Sequence, residues 1–445
     1  MNRGDGVDSE AAILVGVLSA DRRRQASPLE ELEGLAETAG TRVVGHLTQR
    51  RDTPDTTTYL GRGKVDELKR LADLTDADVI IFDNDLSPAQ TRNLEKALGI
   101  KVLDRTELIL DIFASRAQTH EARLAVELAQ LEYAMPRLKQ MWTHLSRQRK
   151  GVGLRGPGEK QLEVDRRLVE KRIRDLRADL DAIHRRRQRE VAARRETMTV
   201  SLVGYTNAGK STLLNALTGA DVFTQDALFA TLDTRTRRWQ LPGWGPVLLS
   251  DTVGFIRDLP HHLIASFKAT LEEARQADLL LHVADAGNPA VNDQIAAAYR
   301  VLEEIGIEAK DTLLVVNKID AVPNRVLVDA LLNRHPNAVA ISAQTGDGFG
   351  RLATAVSEAL SRSFLDLDVE TGVENGRLIA YLASHGEILS KQYQDTRVIV
   401  HCRIPQRYLG RIKEQGAEIR PHRNHVAQDA SRPQSPRSDT IGDVA

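Results

Sequence analysis

A chain of 445 residues is about three times an ordinary domain, so a single packed core is not expected. Its 61 Lys and Arg against 62 Asp and Glu leave a net charge of -1, and bulk charge therefore names no polyanionic partner. An apolar share of 41% excludes general disorder, and no apolar run nears the roughly 20 residues of a membrane span. The start, Met1-Asn2-Arg3-Gly4-Asp5, carries no signal-peptide pattern. With Cys402 as the single cysteine, an internal disulfide and a CxxC metal site are excluded, and the 12 histidines show no HExxH-like spacing. A cytoplasmic protein is expected, with partial membrane association left open.

The first 117 residues alternate short apolar runs with helical stretches. Ala12–Leu18, Val43–Leu47, Val79–Phe82 and Val102–Leu103 read as strands, and Leu29–Ala39, Val65–Ala72 and Pro88–Ala97 as helices. That order predicts a parallel α/β domain over residues 1–117. It holds no P-loop, but Gly61-Arg62-Gly63-Lys64 leaves open ATP binding beside the plainer reading of a structural cap.

Over 118–197 the period changes. Leu124, Leu128, Leu131, Met135, Leu138, Trp142 and Leu145 form an a/d seam interrupted only by Pro136, where a kink is expected. Leu162, Val169, Ile173, Leu176, Leu180 and Ile183 form a second seam, which predicts an antiparallel helical hairpin. Between Arg147 and Glu196 there are 17 basic and 9 acidic residues, a concentration suited to phosphate or to a solvated helix face. The tip, about 150–159, is Gly-rich and exposed, and Lys150, Arg155 and Lys160 are candidate RNA contacts.

Strand-helix alternation returns over 198–362. Gly204-Tyr205-Thr206-Asn207-Ala208-Gly209-Lys210-Ser211 fits GxxxxGK[ST] directly after the apolar run ending at Val203 and before a helical stretch. Backbone N–H groups of such a loop cradle phosphates, Lys210 reaches the outer ones and Ser211 ligates Mg²⁺. Asp251-Thr252-Val253-Gly254 follows the second run, where Asp251 suits Mg²⁺ through water and the Gly254 N–H the γ-phosphate. Asn317-Lys318-Ile319-Asp320 ends a later run. A carboxylate at Asp320 can accept from guanine N1–H and the 2-amino group, a donor pair adenine lacks. Ser342, Ala343 and Gln344 follow the last run, placing backbone near guanine O6. Motifs at successive strand ends, in the order a doubly wound sheet needs, predict one nucleotide crevice for GTP and GDP. Residues 363–423 predict a small α+β module, and 424–445 read as disordered.

These residues resemble the translation-factor-related GTPases. Phe229-Ala230-Thr231-Leu232-Asp233 and the tip, continuing into Gln161-Leu162-Glu163, are similar to the switch-I and GxRGPGExQLE segments of the HflX family; Tyr59–Lys64 also fits. The likeness spans about residues 11–420. It implies that Phe229–Asp233 lies at the nucleotide, that Thr231 joins Ser211 on Mg²⁺, and that Lys210, Thr231, Asp251 and Gly254 carry catalysis. It also implies binding to the large ribosomal subunit and its rRNA, splitting or rescue of stalled 70S-type ribosomes, and ribosome-stimulated hydrolysis. Lys160 and Lys150 depart from the usual Thr and Gly of that tip. Phe255 stands where many small GTPases carry a water-orienting glutamine, so slow intrinsic turnover is expected. A GTP-dependent assembly or RNA-chaperone factor without splitting activity is the alternative, and a monomer the expected state.

Overall fold

The computed structural model describes residues 10–18, 28–147, 157–193, 197–219, 228–229, 235–242, 244–257, 273–304, 306–307, 312–362 and 364–422. The chain divides into two compact units, 1–357 and 358–445.

In the first unit, β1 (Ala11–Leu18), β2 (Arg42–Arg50), β3 (Val79–Phe82) and β4 (Lys101–Asp104) form a parallel sheet in the order β2-β1-β3-β4. β1 and β3 are buried throughout, the mark of parallel strands covered on both faces. Covering them are α1 (Glu30–Thr38), α2 (Arg62–Thr75), α3 (Pro88–Leu98) and α4 (Arg105–Arg116). Ser87 and Gln90 close a capping box over α3 with Pro88 in its first turn, and Asp104 caps α4 through the Glu107 N–H at 2.9 Å. The sequence reading has no α4; its wide apolar face of Leu108, Ile109, Leu110, Ile112 and Phe113 leaves a narrow outward stripe of Glu107, Asp111 and Ser115. The Lys64 ammonium is paired with Glu67 at 2.9 Å.

Two long helices follow, α5 (His120–Arg147), continuous through Pro136, and α6 (Pro157–Ala193). Leu124, Leu128, Leu131 and Met135 of α5 pack with Val169, Ile173, Leu176, Leu180 and Ile183 of α6, so both expected seams meet where side chains are described. Glu127–Arg172 and Glu132–Arg177 pairs at 2.7 Å flank them. The middle of α5 is fixed by Asp104, which accepts from the Tyr133 hydroxyl at 2.6 Å and from Arg137 at 2.8 Å.

The remaining sheet of this unit comprises β5 (Thr199–Gly204), β6 (Arg235–Leu241), β7 (Gly245–Asp251), β8 (Leu279–Asp285), β9 (Thr312–Asn317) and β10 (Val339–Ala340), ordered β10-β9-β8-β5-β7-β6. All pairs are parallel except β6 with β7. Among the described residues its helices are α7 (Lys210–Thr218), α8 (Val291–Glu304), α9 (Arg325–Arg334) and α10 (Phe349–Ser361). The central strand β5 lies between β7 and β8, and the crevice expected where strand order reverses is at its carboxyl end.

In the second unit, β11 (Phe364–Gly372), β12 (Glu387–Gln394), β13 (Arg397–Pro405) and β14 (Glu418–Pro421) make an antiparallel sheet ordered β12-β13-β11-β14. Leu367, Val369, Val398, Val400, Cys402 and Ile404 form its inner face against Leu378 and Leu382 of α11 (Gly376–His385) and Ile412 of α12 (Leu409–Glu414). Burial pushes the Cys402 thiol up to about 11. The tail expected to be disordered, 424–445, lies outside the described residues.

Candidate nucleotide site

The loop between β5 and α7 depends on backbone that side chains would obstruct. Gly204 has φ 143°, and a Cβ there would meet the Val283 carbonyl oxygen at 2.2 Å. Gly209, at φ 89°, opens α7 with its would-be Cβ 2.4 Å from Asn317 Nδ2. Asn207 also adopts a left-handed φ of 61°. Lys210 is buried and donates to the carbonyls of Gly204 at 3.0 Å and Tyr205 at 2.8 Å. Burial pulls its pKa down to about 8, against the opposing pull of Asp251.

Asp251 ends β7, fully buried, and accepts from the Ser211 hydroxyl at 2.5 Å. Thr252 is turned away, its hydroxyl donating to the Leu202 carbonyl at 2.7 Å. Gly254 brings the following segment against the loop: a Cβ there would lie 2.9 Å from Thr206 Cα and 3.0 Å from Lys210 Nζ. Thr206 N–H donates to Phe255 O at 2.8 Å and Phe255 N–H to Gly204 O at 2.9 Å, so the two segments are laced together. The Phe255 ring is buried among Val203, Leu280, Ala298 and Leu302, and brings no polar group to the crevice.

At the other end Asn317 is buried; its Nδ2 donates to Ala208 O at 2.9 Å and its Oδ1 accepts from Ala343 N–H at 2.9 Å. Lys318, at φ 63°, pairs with Asp285 at 2.8 Å. Ile319 is half-buried, whereas Asp320 and Gln344 are exposed. Ser342 is fully buried and accepts from Thr345 N–H at 3.1 Å, shaping the turn after β10. The structure thus brings together Gly204–Ser211, Asp251–Gly254, Asn317–Asp320 and Ser342–Gln344. Ala230, Thr231, Leu232 and Asp233 lie outside the described residues, as do Lys150 and Arg155 and the side chain of Lys160.

The remaining candidate, Phe229, is buried. Its ring is 2% exposed in a core shared with Phe113, Leu108, Val253 and Ile256. Helices α1 and α4 of the N-terminal part also reach the loop and the segment after the DxxG residues through charge, a contact the sequence reading missed. Glu31 accepts from the Tyr205 hydroxyl at 3.2 Å and the Arg257 N–H at 3.1 Å. Buried Arg105 joins Glu31 at 2.5 Å, Asp83 at 2.6 Å and the Arg257 carbonyl at 3.1 Å. Burial and the Glu31 carboxylate raise the Tyr205 pKa, holding its hydroxyl protonated.

Comparison with known proteins agrees with this geometry. The family described as 50S ribosome-binding GTPase matches residues 199–318. Those described as GTP-binding GTPase N-terminal and GTP-binding GTPase middle region match 26–114 and 116–194. GTPase HflX of Lacrimispora saccharolytica is 44% identical over 407 residues, covering 91% of this chain and 96% of that protein. GTPase HflX of Escherichia coli is 47% identical over 372 residues, 83% of this chain and 87% of that one. The chain belongs to the HflX GTPase family. A solved GTP-binding protein of Sulfolobus solfataricus in complex with GDP aligns with 79% of this chain and 99% of that chain, with 25% identity and a TM-score of 0.42. As an HflX-family member, the chain binds and hydrolyses GTP. Among the described residues, no helix is long and apolar enough to cross a membrane.

Proposed function

We propose that this HflX-family GTPase binds the large ribosomal subunit in the cytoplasm as a monomer and splits or rescues stalled ribosomes. Its four folded parts would be 1–117, 118–197, 198–362 and 363–423, with 424–445 as a tail. The observation that carries the reading is the match of residues 199–318 to a family described as 50S ribosome-binding GTPase. Its support is the basic hairpin, whose helix α6 of 37 residues is about 55 Å long. A rod of that length with Lys150, Arg155 and Lys160 at its tip suits insertion against ribosomal RNA.

In the crevice, Gly204–Ser211 backbone and Lys210 hold the phosphates, the Gly254 N–H meets the γ-phosphate, and Asp320, backed by Asn317, selects guanine. Lys318 packs on the base, with Ser342, Ala343 and Gln344 lining its O6 edge. Ser211 and Thr231 would ligate Mg²⁺, with the Asp251 carboxylate beside the Ser211 hydroxyl holding the ion through a water, an all-oxygen set that fits it. The ion's chemistry is to neutralise charge on the transferring phosphoryl group. Because Phe255 is packed in the core, no side chain of that position orients the attacking water, and intrinsic hydrolysis is slow. A docked ribosome would raise the rate either by supplying the missing group or by ordering the switch that carries Thr231.

The test is GTP hydrolysis by the protein alone and with large subunits, small subunits and 70S ribosomes, with Lys210→Ala as control. Strong stimulation by large subunits supports the reading, and gradient profiles with GTP then separate splitting from subunit assembly. Stimulation by none of them removes the ribosomal mechanism. Arg155→Ala with Lys160→Ala should weaken subunit binding and flatten its salt dependence; an unchanged salt slope refutes the tip assignment.

A further inference from the structure

The outer face of the C-terminal sheet gathers imidazoles and carboxylates that the GTPase reaction does not use. Side chains alternate along a strand, so the register that turns Leu367 and Val369 inward gives Asp366 and Asp368 to the other face. His401 sits opposite Asp368 on β13, and His422, just past β14, donates its backbone N–H to Asp366 O at 3.0 Å. The two imidazoles stack with ring centroids 3.5 Å apart, 14° from parallel. Each has its own carboxylate: His401 Nε2 is 2.6 Å from Asp366, and His422 Nδ1 lies 2.9 and 3.0 Å from the two oxygens of Asp368. One nitrogen of each ring and one oxygen of Asp368 fall within 4.8 Å of one another.

We propose that Asp368, His401 and His422 bind a divalent first-row transition cation of the zinc type. An N,N,O donor set suits such an ion, whereas Mg²⁺ prefers oxygen ligands. Metal–ligand bonds of about 2.0–2.2 Å separate donors by roughly 3.4 Å, so small side-chain movements close the site. Asp366 takes the part of the carboxylate that orients a ligating imidazole. Arg403, 3.6 Å from Asp366, balances that second carboxylate, and Arg420 is drawn to Glu370 and Glu418 at 3.5 and 2.9 Å. The ion would join β11, β13 and the chain leaving β14, stapling the sheet across three strands.

The test uses the full chain without a polyhistidine tag, stripped with chelator and kept in millimolar Mg²⁺ with GDP so that the nucleotide crevice is filled. Calorimetry with zinc chloride should give one site per chain. His401→Ala and Asp368→Asn should each weaken it at least tenfold, and Asp366→Asn less. His385→Ala, at a ring stacked on Tyr381 in the same unit, should leave it unchanged. Zinc should raise the thermal midpoint of the parent chain and not of His401→Ala, while both hydrolyse GTP equally without zinc. No zinc binding by the parent, or equal affinity in the His401→Ala and Asp368→Asn variants, overturns the proposal.

Discussion

Phe113 and Phe229 meet edge to face, ring centroids 4.6 Å apart at 76°, one from the last helix over the N-terminal sheet and the other two residues before Thr231. Phe229 holds a left-handed φ of 57°, a strained position for an aromatic residue that its burial stabilises. Phe229→Ala should lower unfolding free energy by about 3 kcal/mol, reduced if the pocket collapses. Urea unfolding of the two proteins checks it; equal midpoints and slopes would show that the contact contributes nothing.

Arg105 neutralises two carboxylates away from water, so removing it alone is worse than removing the group. Arg105→Met should destabilise the first unit by about 3–5 kcal/mol, and adding Glu31→Gln and Asp83→Asn should recover much of it. Thermal unfolding of the single and triple variants decides; a triple variant less stable than Arg105→Met would contradict the argument.

Gly254 has no space for a methyl group against Thr206 and Lys210. Gly254→Ala should cut GTP turnover about a hundredfold, the scale of losing an aligned transition-state donor, with GDP affinity within a few fold of the parent. Turnover and fluorescent-nucleotide titration measure the two separately.

Lys210 is lowered to about 8 by burial, while the unfolded chain keeps its proton to about 10.5. Between those values the unfolded state holds more protons, so stability of the nucleotide-free protein rises with pH across that window. A triphosphate favours the charged lysine, and GTP affinity should therefore fall as pH rises above 8, with proton uptake on binding. Calorimetry at pH 8 in buffers of different ionisation enthalpy reads this directly. Buffer-independent heats would exclude it.

His282, within β8, has its pKa pushed down to about 3 by burial. As pH falls below 6.5 the unfolded chain takes a proton that the folded chain refuses, so stability declines. By pH 5 the loss from this residue is about 2 kcal/mol. His282→Leu should show a shallower acid slope in urea midpoints between pH 6.5 and 5.

The strand ends that carry the candidate nucleotide motifs are legible in sequence because each motif is contiguous and follows an apolar strand. Val79–Phe82 reads without error for the same reason, as four consecutive buried residues. β6 does not, since Arg235, Arg237 and Arg238 leave only Trp239 and Leu241 facing inward on an antiparallel edge. Glu31, Asp83, Arg105 and Arg257 are spread over more than 220 residues, and only folding makes them neighbours. His401 and His422 likewise have no spacing signature, because strand register rather than helical repeat brings them together.

Asn317 is a rivet through two layers of the molecule. Strand β10 is only two residues long, so the turn holding Ser342 and Ala343 gets little support from the ladder. One amide side chain instead fastens that turn to Ala208 in the phosphate loop. On the proposed reading, the base side and the phosphate side of the crevice are thereby tied together before any ligand arrives. If the proposed site is right, selectivity for the base is a matter of calibration as much as of contact: a nucleotide whose base is misplaced could not seat its phosphates without pulling on the same rivet.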